Sequence, residues 1–154
     1  MKRLPYSEGT WFAVPLRTGG YAIGVVARMA PKGKIVLAYF FGPKCDAVPA
    51  LSEVEGLKPT DAIKCVRLGD LGMMNGEWPI IGASPGWARE DWPMPSFIKQ
   101  DPLSNRVWLV RYADSDPSQI EQEKLVSEEV GGLEEDSLCG YGSVEIKLTK
   151  LLSS

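Results

Sequence analysis

Four carboxylates, Asp70, Glu77, Glu90 and Asp91, lie in loops near Trp78, Trp87 and Trp92. Acids beside exposed aromatics are the materials of a sugar-cleaving site, where one carboxyl donates a proton and a second acts as base or nucleophile. Such a site needs two carboxyls facing one cleft at about 5–10 Å, one of them with a raised pKa; otherwise the same residues are solvated loop acids. Other catalytic vocabulary is missing. The chain has no histidine, which removes Ser-His and Cys-His nucleophiles, the usual general base near neutral pH and the commonest metal ligand. Cys45, Cys65 and Cys139 are odd in number, far apart and without CxxC spacing, so they predict neither a thiolate zinc site nor a disulfide framework, and they fit a reducing compartment. No lysine sits in a GxxxxGK[ST] frame, and the glycines around Gly20 and Gly24 have the wrong spacing for a dinucleotide loop. The expectation is a protein without catalytic residues, cofactor or metal.

Charge is the second possible source of function. Residues 1–113 hold 14 basic and 10 acidic residues, a net of +4, whereas residues 114–136 hold nine acids against Lys124 alone, a net of −8. The nine are Asp114, Asp116, Glu121, Glu123, Glu128, Glu129, Glu134, Glu135 and Asp136. Such a block is either a solvated face or a docking surface, since concentrated charge of one sign steers a basic partner and raises its on-rate. The overall charge of −3, with no basic stripe among the aromatics, argues against nucleic acid as a partner. Trp87 and Trp92, in a segment also holding Pro85, Pro93 and Pro95, are candidate interface anchors; packing of that loop on the domain is the alternative.

The elements that must position these residues are short. Twelve prolines and sixteen glycines in 154 residues predict many turns, and the length fits one domain with its own core. Residues 11–16, 21–28 and 35–41 are rich in aromatic and β-branched types and are divided by Gly19-Gly20 and Pro31–Gly33, which predicts a three-stranded antiparallel meander. The third run is almost wholly apolar, as a strand covered on both faces must be. Pro15 predicts an edge or a bulge in the first strand, and Gly24 a bulge, bend or close backbone approach in the second. A helical turn near Leu51–Glu55, a strand at 62–68 of unclear facing, a loop at 69–76, a short strand at 78–82 in which Pro79 demands an edge or a bulge, and a strand at 106–112 follow. Asp116-Pro117-Ser118 can open a helix through Ser127. Ser143 sits where an N-cap belongs, ahead of a terminal amphipathic helix with Val144, Leu148, Leu151 and Leu152 on one face. The fold class predicted is α+β: mostly antiparallel sheet with short helices. The N-terminus shows no apolar run behind Lys2 and Arg3, and no stretch approaches the roughly 18 apolar residues of a membrane span. Cytoplasm, without membrane contact, is the expected address.

In order along the chain, Gly9-Thr10-Trp11-Phe12-Ala13-Val14-Pro15-Leu16, Gly20-Tyr21-Ala22-Ile23-Gly24-Val25-Val26, Trp78-Pro79-Ile80-Ile81-Gly82 with Pro85, and the 142–152 segment resemble the immunity protein 26 family. No one of these motifs is specific; the succession is. The resemblance implies a mostly-β domain with helical additions, encoded beside toxin genes of polymorphic toxin systems, and a protein that inactivates a cognate toxin by stoichiometric binding. It transfers no catalytic or binding residues. Many toxins are nucleases with basic clefts, so the acids of 114–136, with Trp87 and Trp92, are the expected toxin-binding residues. Two other readings stay open: a small-ligand domain with the Trp87–Trp92 loop as a lid, and a carboxylate-dependent hydrolase.

Overall fold

The computed structural model describes residues 4–104, 106–126 and 133–152. Strands β1 (Thr10–Pro15), β2 (Tyr21–Met29) and β3 (Ile35–Cys45) form the expected antiparallel meander. With β4 (Lys64–Gly69), β5 (Ile80–Ala83) and β9 (Leu138–Cys139) they build a six-stranded sheet in the order β5-β1-β2-β3-β4-β9, antiparallel except for the β4–β9 pair. A second sheet holds β6 (Ser96–Gln100), β7 (Val107–Ala113) and β8 (Asp116–Val126). Helices α1 (Leu51–Val54) and α2 (Leu71–Met74) are single turns, and α3 (Tyr141–Leu152) is the terminal helix; α2 lies where the sequence suggested only loop.

The apolar meander is explained by its covering. Phe12, Val14, Val26, Val36, Ala38 and Phe40 face a cluster shared with Trp78, Val144 and Leu148 of α3. Their neighbours Trp11, Ala13, Val25, Leu37, Tyr39 and Phe41 face a second cluster with Trp92, Phe97, Val110 and Tyr112. Side chains alternate between faces along a strand, so a sheet buried on both sides reads as one continuous apolar run. β4 resolves its facing the same way: Val66 and Leu68 join the α3 side, while Cys65 packs against the other.

Four details differ from expectation. β1 is interior, and the irregularity in its pairing with β5 falls between Trp11 and Phe12; Pro15 is tolerated because it lies past the last β5 rung. Gly24 admits rings rather than a backbone. It pairs with Phe12 on one side and Phe40 on the other, and a Cβ there would stand 2.5 Å from Phe12 and 2.9 Å from Phe40. The helix expected from Ser118 is strand β8: Pro117 lies near its start, and Asp116 accepts hydrogen bonds from Ser118 N and Oγ in a local turn. Helix propensity loses there to pairing with β7, which sets Ile120 opposite Tyr112 and Leu125 opposite Trp108. Finally, α3 starts at Tyr141, so Ser143 is inside it, and its apolar stripe is the buried Val144 and Leu148 with the partly buried Leu152, while Leu151 is half exposed. Pro79 does precede an edge strand, with its carbonyl accepting Ala13 N.

A buried acid fixes α3. Glu145 accepts the Trp78 indole Nε1 at 2.9 Å and pairs with Arg17 at 3.0 Å, and Arg17 N donates to Thr149 Oγ1. Hydrogen bonds to a charged group contribute about 1.5–3 kcal/mol each, enough to set which face of the helix meets the sheet.

Candidate binding surface

The tryptophan loop is held in place by packing. Trp92, 6% exposed, meets Trp11, Tyr39 and Phe41 edge-on at ring distances of 6.0, 5.2 and 6.0 Å, and Trp87 stacks on it at 5.0 Å. Trp87 lies against Gly9, whose φ of +88° and missing Cβ the contact requires, since a Cβ would stand 2.8 Å from the indole. The space between loop and sheet is filled by these rings, so the loop is a plug and not a lid. Trp92 presents almost no surface to a partner; Trp87, half-buried, keeps part of one.

Ion pairs lock the same loop. Arg28, 3% exposed within β2, donates to Asp114 at 2.9 Å, to its neighbour's carbonyl at Ala27 and to the Arg89 carbonyl. Arg89 bonds Asp114 in turn and reaches Glu8 at 2.8 Å. Burial opposes ionisation of Asp114, but hydrogen bonds from Arg28 and Arg89 outweigh it and hold the carboxyl below the ordinary carboxylate range. Hydrogen bonding to Glu8, assisted by Asp114, pushes the Arg89 pKa upward.

A second brace ties residues 133–136 to β6. Ile98 N donates to the Glu134 carbonyl and Asp136 N to the Ile98 carbonyl. The Asp136 carboxylate accepts Tyr112 OH at 2.7 Å and Arg67 Nη2 at 3.3 Å, while the Arg67 guanidinium lies 3.6 Å over the Tyr112 ring. Burial, with the Asp136 hydrogen bond, pushes the Tyr112 hydroxyl up to about 12. Glu134 pairs with Lys64 at 2.9 Å and Glu123 with Lys99 at 3.5 Å.

The nine expected acids therefore divide. Asp114, Glu134 and Asp136 brace the fold, Asp116 closes a turn, and Glu123 has one loose, exposed partner. Glu121 and Glu135 are exposed with no ion-pair partner among the described residues, and Glu128 and Glu129 lie outside those residues. Sequence reasoning missed the cations. Arg28, alone in an otherwise apolar strand, and Arg67, set between Val66 and Leu68, were the available signal, since a buried arginine needs a partner.

The loop carboxylates differ in setting. Asp70 is buried under Tyr6 OH at 2.6 Å and Lys34 N at 2.9 Å, while Glu77, Glu90 and Asp91 are exposed. Among the described residues no three Cys, Asp or Glu side chains cluster to hold a metal, and no helix is long and apolar enough to cross a membrane. Burial pushes the Cys65 thiol up, and the Cys45 thiol less far. A surface cleft of about 290 Å³, with Tyr39, Lys64, Cys65 and Glu134 in its wall, includes neither Trp87 nor Trp92.

Fold and surface together define an α+β domain, a two-sheet stack capped by one helix, with acids on β8 and in residues 134–136 beside β6. The chain belongs to the immunity protein 26 family, whose model matches residues 7–109. It is an immunity protein of a toxin system, and its partner is a toxin. No curated protein and no solved structure matches the chain. The family match ends within β7, ahead of the acidic segment.

Proposed function

We propose that this protein neutralises a cognate toxin by binding it one to one and covering its active site, with no turnover of its own. The toxin belongs to a polymorphic toxin system, is met in the cytoplasm, and carries a basic cleft of the kind a nuclease uses. The observation that carries this reading is the placement of the −8 segment. Its described acids run from the β7–β8 turn along β8 and beside β6, and those free of internal bracing (Glu121, Glu135 and the loosely paired Glu123) are exposed there. Exposed acids on a braced sheet steer a basic partner without reorganising.

Co-expression with the toxin gene next to it tests the class: growth is restored by the wild-type protein, and failure to restore it refutes neutralisation. The charge mechanism is tested by the triple variant Glu121→Lys, Glu123→Lys and Glu135→Lys. Its association rate with the toxin falls about tenfold or more at low salt, and the salt dependence flattens. Unchanged kinetics would remove these acids from the interface.

A further inference from the structure

We infer that the outer edge of β8 is the docking strand for the toxin, which adds an extended basic segment to the second sheet across residues 122–126. This rests on the proposed function and deepens it by naming the element and the kind of segment it takes.

The three other sheet edges are short or covered. β5 has four residues and β9 two, and β6 carries residues 134–136 on its outer side through the bonds to Ile98. β8 has eleven residues, pairs with β7 on one side, and has no described strand on the other. Such an edge offers outward N–H and C=O groups at every second residue, a template for an added strand. Its first half is unsuited: Pro117 lacks a donor, and the register with β7 slips between Ile120 and Gln122, leaving Glu121 as an extra residue. From Gln122 to Val126 each residue meets its β7 partner rung by rung, Arg111 to Val107, so the outer edge there is regular.

The side chains specify the occupant. Glu121 and Glu123 flank the start of this run with Lys124 as its one cation, so the acids outnumber the base there and favour a basic segment. Apolar anchors stand at the far end. Leu125 is half exposed on the rung it shares with Trp108 and Lys99. Leu103 tops the β6–β7 turn at that same end, 94% exposed, and Asp101 steadies the turn by accepting Leu103 N at 3.0 Å and Ser104 Oγ at 2.8 Å. A steadied, exposed leucine at the same end of the sheet as an edge with no described partner strand is an interface anchor.

Amide hydrogen exchange tests this on the full chain, free and mixed with the toxin domain encoded beside it, that domain inactivated at its own catalytic residues. With a complex formed, amides within 122–126 exchange about tenfold or more slowly, and Leu103→Asp, which touches no packed group, weakens binding by about tenfold or more. A complex in which those amides are not slowed overturns the docking strand and leaves stoichiometric neutralisation standing. Slowed amides with unaltered binding of Leu103→Asp place the strand but remove the leucine. No complex at all overturns both the strand and the function on which it rests.

Discussion

The two sheets are built on opposite principles. In the six-stranded sheet the central strands are apolar on both faces, and Trp11, Phe12, Phe40 and Trp78 are fully buried among other rings. In the three-stranded sheet only the face over Phe97, Val110 and Tyr112 is buried; β8 is mostly exposed, ion pairs with Arg28, Arg67 and Lys64 tie its flanks to the first sheet, and Lys99 of β6 pairs with its Glu123. Burial supplies stability in the first. In the second, charge supplies position, so that a strand edge and a few acids can be held in water at a fixed place.

If that division is right, the largest losses of stability come from the first sheet. Trp78→Ala removes a fully buried ring stacked on Phe12 at 5.6 Å and the indole donor to Glu145, and should cost about 3–5 kcal/mol in urea unfolding. Gly24→Val inserts atoms where Phe12 and Phe40 already stand within 3 Å of a Cβ, and should cost about 1–3 kcal/mol. Losses this large from any exposed β8 side chain would break the comparison.

The same division decides what the sequence reveals. Where burial governs, residue type carries the answer: the meander and its doubly covered third strand were legible. Where pairing governs, it does not. Residues 118–126 contain Gln, Glu, Lys and Leu, which favour a helix taken alone, and only the presence of β7 makes them a strand. The acidic block was legible as charge, but which acids brace and which stay free depends on Arg28, Arg67 and Arg89, distant in sequence and brought close by the fold. Leu151 and Leu152 show the limit at finer scale, since a helix face can be read one residue out of phase.

Asp114, in the β7–β8 turn, links the two sheets through Arg28, and a smaller effect is expected there. Asp114→Ala leaves the buried Arg28 without its carboxylate; because the acid itself is half exposed, the cost should be about 1–2 kcal/mol. The pH dependence has a definite sign. The folded-state pKa of Asp114 is lowered, so its contribution is fully present above the unfolded value, near pH 4, and is lost as pH falls through the folded one. The wild-type protein should therefore lose more stability than Asp114→Asn as pH drops below about 4. Parallel curves would show that the bridge to Arg28 and Arg89 does not hold the loop.

The smallest change in stability, with a large change in function, is expected at Glu121 and Glu135. Both are exposed without ion-pair partners among the described residues, so Glu121→Lys with Glu135→Lys should shift the unfolding free energy by less than about 0.5 kcal/mol. The pair should still slow toxin association, because on-rate follows the field that the surface presents, not the contacts inside it. Asp136→Asn makes the sharpest control: it removes one unit of charge from the same segment but at the Arg67–Tyr112 brace. It should lower stability while changing the association rate less than the double reversal. If Asp136→Asn and the double reversal alter stability and on-rate in the same proportion, bracing acids and steering acids are one group, and the contrast between the two sheets does not extend to their charges.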